Sequence, residues 1–216
     1  ILLIEESEVD RQHRPFSATS ISGSFIWDRR DEPFNPEKGS FLSFVVERAF
    51  PLLKSDSNYL KSFIKYKQFI PVFSGVTFSA TSRLGLGGGR KPIPVHERFF
   101  AGGSNSFRGA RFDELGPKDQ VSQKPVGGEA LVLLNFELTF PLVSGIKDLS
   151  GALFYDKGNV FEETEHFSMA ALKDAVGVGI RYRTPLGPVR LEVGWNLDAE
   201  NGETKPLVFI TIGNVF

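Results

Sequence analysis

One arginine in a long, aromatic segment of the sequence is the charged group with the clearest need for a partner. Residues 88–126 show no hydrophobic periodicity, and a segment of that length within a β domain is usually functional or disordered. Its central part, 96–112, is too rich in aromatic residues to be a solvated flap, so we expect it to fold back against the rest of the protein. Arg108 would then be partly desolvated, and an unpaired cation in such a place is costly.

Two carboxylates are the candidate partners, because each lies on the polar face of an alternating segment. Glu137 alternates with Phe136 and Asp156 alternates with Tyr155, so both carboxylates point away from the apolar face of a predicted strand. A guanidinium can engage a carboxylate through two parallel hydrogen bonds, a geometry that lysine cannot copy. We predict that Arg108 bonds to Asp156, with Glu137 as a second partner. The alternative is that Arg108 simply points into water.

Catalytic and metal-binding chemistry finds little support in the sequence. The histidines His13, His96 and His166 lie in unrelated predicted loops without a histidine or carboxylate at metal-ligand spacing, and there is no cysteine to supply a thiolate. The segment 102–106 lacks the second glycine of a nucleophile elbow, and 85–89 neither follows the dinucleotide fingerprint nor precedes a helix. We therefore expect no enzymatic activity, no metal and no cofactor.

The composition limits the classes to which the chain can belong. With 216 residues, a net charge of −1 and 41% hydrophobic residues, it can form a single domain over 1–216, and it has no basic excess that would suggest a nucleic-acid partner. No eighteen apolar residues run together, which excludes a transmembrane helix, and the first residues lack the features of a signal peptide. If the protein lies in a membrane, it must cross as a closed β-barrel.

The elements that must position the arginine and the carboxylates are predicted to be strands. The chain has 21 Phe, 22 Gly and one Met, which favours short twisted strands over helices. Alternation between turn signals predicts nine strands of about ten residues or more, long for a globular domain and typical of a tilted membrane crossing. The fold class is therefore all-β, an antiparallel transmembrane β-barrel with 88–126 as its long infolded loop. The predicted strands are 17–28, 39–50, 57–70, 74–87, 127–140, 149–160, 172–184, 188–198 and 206–216.

Several motifs, taken in order along nearly the whole chain, resemble those of one superfamily. Segment 98–109, which ends with Phe107, Arg108 and Gly109, resembles the signature of the sixth extracellular loop in BamA, TamA and the two-partner secretion transporters. One departure from the family pattern is Ala110, where the family usually places Phe or Tyr. Alanine cannot make the stacking contact of that aromatic ring at the loop tip, but the arginine of the motif is present. The other matching segments are 28–39, 135–141, the strand motif from Phe154 to Gly158, 184–190, and the terminal segment 210–216, which contains Gly213 and closes on Phe216.

The resemblance implies protein assembly or translocation in the outer membrane of a bacterium or an organelle. It implies a barrel of sixteen strands, of which this chain supplies the last nine. The implied partners are the lipid bilayer, client outer-membrane or secreted proteins, and a missing N-terminal barrel half or POTRA domains; no POTRA domain is expected in this chain. In the family the first and last strands meet at a weak seam that clients use, which makes the strand 207–216, with Gly213 and Phe216, a candidate gate.

Two other functions and the closure of the barrel stay open at this stage. The other functions are a passive pore or structural barrel, and a barrel enzyme of the phospholipase kind, for which no serine and histidine stand in strand register. Nine is an awkward number of strands, because bacterial single-chain barrels are even-numbered and unpaired edges cannot face lipid. We expect eight to ten strands: either the N-terminal stub pairs as a tenth strand or one terminal strand is lost, with closure of the barrel or pairing between copies.

Overall fold

A single antiparallel sheet makes up most of the structure. The computed structural model describes residues 19–51, 57–90, 93–143, 145–146, 148–184, 187–198 and 205–213. Each strand in this part pairs antiparallel with the next along the chain, so the all-β antiparallel fold with nine strands is confirmed. The strands are β1 (Ser20–Asp28), β2 (Gly39–Ala49), β3 (Tyr59–Phe73), β4 (Val76–Gly89), β5 (Ala130–Pro141), β6 (Leu149–Phe161), β7 (Lys173–Tyr182), β8 (Val189–Asn196) and β9 (Leu207–Ile212).

The connections between the strands differ widely in length. The tightest, at 74–75 between β3 and β4, includes Gly75 with a positive φ of 73°, and the longest, 90–129, joins β4 to β5. Helical structure in the described ranges consists of three short 3-10 helices: Val95–Glu97, Thr164–His166 and Met169–Ala171. Across the described part of the chain, no helix has both the length and the apolar character needed to span a membrane.

The two faces of the sheet carry opposite chemistry. On β7, Val178, Ile180 and Tyr182 are nearly half exposed, whereas Gly177 on the alternate face is buried. We call the face with the exposed apolar side chains the outer face, and the opposite one the inner face. A soluble sandwich would bury its apolar face, whereas membrane barrels turn it outward. The strand residues on the inner face that are both buried and charged are Glu137, Asp156 and Glu192.

The described part of the long connection, 93–129, lies against the inner face. Phe107 from this connection is fully buried, and it belongs to a cluster with Leu131 and Leu133 of β5, Val160 of β6 and Ala175 of β7. Three isolated bridges give the connection internal order. The infolded position that the sequence predicts for this loop is therefore the one observed. The bridges join Phe99 to Gly128, Ala101 to Leu115, and Lys118 to Pro125.

The sheet has two edges, β1 and β9. All nine residues of β1 are exposed, and within the described ranges no ladder joins β9 to β1. The described residues thus form an open sheet rather than a barrel closed on itself, and each edge offers unpaired N–H and C=O groups to further strands. Residues 1–9, the expected tenth strand, lie outside the described residues, and pairing between copies stays a prediction.

Candidate functional site

The tip of the long connection is a tight turn that presents Arg108 to the sheet. Gly102 has a φ of +124°, and a Cβ there would lie 2.1 Å from the backbone oxygen of Arg111, so the turn requires glycine. The Ser106 hydroxyl accepts a hydrogen bond from the Gly102 N–H and donates one to the Gly102 oxygen, both at 2.7 Å. The Gly103 N–H donates to the Ala110 oxygen at 2.9 Å, which closes the turn around the arginine.

The backbone of this tip touches the strands directly. A Cβ at Gly109 would lie 2.6 Å from the Ala175 Cβ on β7, and a Cβ at Gly194 on β8 would lie 2.2 Å from the Arg108 backbone oxygen. Glycine at both positions lets the loop backbone approach the two strands more closely than any other residue would allow. These contacts fix the position of the Arg108 backbone on the inner face, and therefore the depth to which its side chain reaches.

Arg108 binds three carboxylates at once. Its Nε donates to Asp156 Oδ2 at 2.8 Å and its Nη2 to Asp156 Oδ1 at 2.7 Å, and its backbone N–H also donates to Oδ2 at 3.0 Å. Its Nη1 donates to Glu137 Oε2 at 2.8 Å and to Glu192 Oε1 at 3.1 Å. The guanidinium carbon lies 3.5 Å from the centre of the Phe154 ring, a cation–π contact. The structure thus brings together Arg108, Asp156 and Glu137, and adds Glu192.

A second arginine completes the group of charges. Arg181 Nη2 donates to Glu137 Oε2 at 2.6 Å and to Glu192 Oε1 at 3.0 Å, so each glutamate bridges both guanidinium groups. We call Arg108, Glu137, Asp156, Arg181 and Glu192 the arginine–carboxylate cluster. Burial by itself lowers the pKa of Arg108, but the hydrogen bonds and charge of Asp156 outweigh it and raise that pKa above its ordinary value. The Arg108 side chain is therefore always charged.

Asn135 and Arg83 tie the loop tip to the same cluster. Asn135 Nδ2 donates to the Ser106 backbone oxygen at 2.5 Å and to Asp156 Oδ1 at 2.8 Å. Arg83 Nη1 donates to Asn135 Oδ1 at 3.0 Å, and Arg83 Nη2 donates to the Asn105 backbone oxygen at 2.7 Å. The Asn135 amide thereby fixes the position of both the loop backbone and the main carboxylate.

The sequence reasoning missed Glu192 and Arg181 although part of the signal was present. Glu192 alternates with the apolar Leu191 and Val193, which is the same pattern that pointed to Glu137. Nothing in the sequence says which of the nine strands lie beside the loop tip, and Glu192 is 84 residues away from Arg108. The alternation identified residues of the right chemistry, but the sequence did not show which of them lie near the loop tip.

The remaining predicted site residues lie in the strand motif of β6, after β9, or outside the described residues. Phe154 lies against Arg108, and a Cβ at Gly158 would lie 2.3 Å from the Val132 oxygen, so this glycine permits close pairing of β5 and β6. Gly213 follows β9 with a φ of +88° and donates its N–H to the Pro188 oxygen at 3.0 Å. Phe216 and His13 lie outside the described residues. No group of three potential metal ligands occurs in the ranges that the structure covers.

The fold and the cluster together define a class of protein. A sheet with an apolar outer face, buried charges on its inner face and a long loop folded against those charges is typical of part of a transmembrane β-barrel with an occupied interior. The chain belongs to the Omp85 superfamily, because the Omp85 superfamily domain matches residues 4–216.

Curated proteins and a solved structure agree with this assignment. The outer membrane protein assembly factor BamA of Nitratidesulfovibrio vulgaris is 28% identical over 179 residues, which cover 81% of this chain and 22% of that protein. A SAM50-like protein of Schizosaccharomyces pombe is 30% identical over 192 residues, covering 82% of this chain and 40% of the relative. The chain spans less than half the length of these relatives.

The similarity in structure extends over almost the whole chain. The crystal structure of BamA from Haemophilus ducreyi lacking POTRA domains 1–3 superposes with a TM-score of 0.78 and 18% identity. The match covers 94% of this chain and 46% of that one, and at this identity it shows the fold alone.

Proposed function

We propose that this chain is part of an outer-membrane barrel that inserts or translocates other proteins, and that it catalyses no reaction. The observation that carries the proposal is the binding of the infolded loop through Arg108 to Asp156, Glu137 and Glu192. A passive pore needs an open polar interior, whereas here a loop is held across the inner face by buried charges. The relatives named as outer membrane protein assembly factors support the same function.

The outer face supports a location in the outer membrane with lipid as a partner. Leu153, Ile180, Leu191 and Ile210 are exposed at 44–73% on the strands β6 to β9. Apolar side chains in such a band favour contact with lipid tails, and they would be unfavourable in water over so many strands. The other proposed partners are client outer-membrane or secreted proteins and the remainder of a larger barrel, either its N-terminal half or POTRA domains.

The cluster and the sheet edge would serve the function in different ways. Buried ion pairs with good geometry keep one arrangement of the loop, because removing either member leaves an uncompensated charge. The strand β9 pairs with β8 on one side, and its other side can add an extended segment of a client through main-chain hydrogen bonds. We infer that the loop braces β5 to β8 while β9 receives the client.

One preparation in proteoliposomes distinguishes the candidate functions. Folding of a client barrel, ion conductance and lipid hydrolysis are measured side by side for the wild type, Arg108→Lys and the control Arg111→Lys, whose side chain is exposed in the same loop. We expect accelerated client folding that Arg108→Lys abolishes and Arg111→Lys preserves, without lipid hydrolysis. Conductance without any effect on client folding would establish the passive pore instead.

A further inference from the structure

A cavity on the inner face is lined by three cations, Lys65, Lys67 and Arg83, that form no salt bridge with a carboxylate of the described residues. It has a volume of about 650 Å³ and extends from Asn105 in the loop tip to Pro188 beside the β7–β8 turn. We propose that this cavity binds a phosphate group, with Lys65, Lys67 and Arg83 as its principal ligands. This site is separate in role from the arginine–carboxylate cluster, and it does not depend on the proposed function.

The three principal cations lie close together on neighbouring strands. Lys65 and Lys67 occupy successive inner-face positions of β3, and Arg83 of β4 stands directly opposite Lys65 in the ladder. All three line the cavity, are partly buried, and have no salt bridge among the described residues. Like charges placed directly opposite destabilise a sheet. Arg83 donates hydrogen bonds to Asn135 and Asn105, but both acceptors are neutral. Three neighbouring cations without a carboxylate in a salt bridge suggest a ligand that supplies negative charge.

A third lysine on the same face of β3 shows how the protein compensates a cation that needs no ligand. Lys61 Nζ lies 3.3 Å from Glu47 Oε2 and 3.1 Å from Glu97 Oε2, so two carboxylates balance it. Glu47 is also the ladder partner of Lys61 on β2. Lys65 and Lys67, four and six residues further along the same strand, receive no such partner in the described part of the chain.

A fourth cation, Arg190 of β8, lines the same cavity, and its Nη1 lies 3.9 Å from Glu192 Oε2. Asn105 accepts hydrogen bonds from Arg83 Nη2 on its backbone oxygen, at 2.7 Å, and from Arg190 Nη2 on its Oδ1, at 2.6 Å. The Nε of Arg190 is buried, and it has no hydrogen-bond partner among the described atoms. A buried donor without an acceptor is unfavourable, and an oxygen of a bound anion would satisfy it.

The number and type of these groups favour phosphate over a single carboxylate. Three cations without a salt bridge favour a ligand with more than one negative charge, and both lysine and arginine are common phosphate ligands. The hydroxyls of Thr81 and Ser104 also line the cavity and can donate to phosphate oxygens. The phosphate could belong to a free phosphate compound or to a lipid headgroup, since the binding chemistry is the same.

Thermal unfolding of the full chain in a non-ionic detergent and a phosphate-free buffer tests the site. Pyrophosphate is titrated into the wild type, Lys65→Gln, Lys67→Gln and the control Lys124→Gln, an exposed loop residue away from the cavity. A ligand that binds the native state raises Tm as its concentration increases. We expect each β3 variant to weaken pyrophosphate binding about tenfold or more, and the control to leave it unchanged.

The Tm of Lys65→Gln without phosphate shows whether Lys65 binds a ligand or only stabilises the fold. Because Lys65 lies opposite Arg83, Lys65→Gln should raise Tm in the absence of phosphate while it weakens binding. A variant that binds less because it misfolds would show a lower Tm, and that result would refute the proposal.

Separate arms identify the source of the phosphate. Stabilisation by pyrophosphate supports a free compound, and stabilisation by phosphatidic acid vesicles alone, lost in Lys67→Gln, supports a lipid headgroup. If neither probe raises the wild-type Tm, the proposal is wrong. Stabilisation by a glutamate hexapeptide but not by either phosphate probe would also overturn it, in favour of an acidic polypeptide.

Discussion

The central strands of the sheet and its two edges are built in opposite ways. β5 to β8 hold buried charges and close backbone contacts with the loop, such as that between Gly194 and Arg108. β1 is exposed over its whole length, and β1 and β9 each pair on one side only in the described residues. Charge pairing and close contact thus fix the centre, while the edges keep free hydrogen-bonding groups. We therefore expect the same type of substitution to lower the free energy of unfolding more in the central strands than at the edges.

The largest expected effect comes from Asp156→Asn at the centre. Asp156 accepts hydrogen bonds from three nitrogens of Arg108 and from Asn135, so an amide would turn an NH₂ group toward at least one donor. Loss of one member of a buried pair costs about 3–5 kcal/mol. Urea unfolding in detergent measures the change. The control is Asp113→Asn in the same loop, where the positive φ of 60° suits asparagine, and we expect it to be silent. A decrease for Asp156→Asn of less than about 1 kcal/mol would mean that the pair behaves as an exposed one.

The second prediction uses two glycines to compare the centre with an edge. A Cβ at Gly194 would lie 2.2 Å from the backbone oxygen of Arg108, whereas a Cβ at Gly23 on β1 meets nothing within 4 Å. Gly194→Ala should push the loop tip away from β8 and cost about 1–3 kcal/mol, as overpacking does. Gly23→Ala should be neutral or slightly stabilising. Equal unfolding free energies for the two variants would contradict the contrast between centre and edge.

The smallest expected effect at the centre belongs to Glu192→Gln. Glu192 accepts the hydrogen bonds of Arg108 and Arg181 on Oε1 alone. Its Oε2 has no hydrogen-bond partner among the described atoms and only a long ion pair, 3.9 Å, to Arg190 Nη1. Glutamine can keep the accepting oxygen and place its NH₂ group where Oε2 stood, so only charge is lost. We expect a cost of about 1 kcal/mol, clearly below that of Asp156→Asn. Urea midpoints in matched detergent would show this order, and a reversed order would shift the main anchor from Asp156 to Glu192.

Much of the fold could be predicted because its signals are local. Alternation between apolar and polar residues marks each strand, and the same alternation placed Glu137 and Asp156 on the inner face. Their contact with Arg108 followed from the need of a desolvated cation for a counter-charge. The involvement of Glu192 and Arg181 could not be predicted, because it depends on which strands the loop tip reaches. The pairing partners of the edge strands β1 and β9 could not be predicted either, because they depend on strands other than those described.

A double-mutant cycle between Arg108 and Asp156 tests the central claim most directly. The unfolding free energies of the wild type, Arg108→Lys, Asp156→Asn and the double variant are measured under one set of detergent conditions. Because the two side chains share a bidentate contact at 2.7 and 2.8 Å, we predict a coupling of about 2–3 kcal/mol. Additive effects, within about 0.5 kcal/mol, would show that the arginine does not anchor the loop through this aspartate.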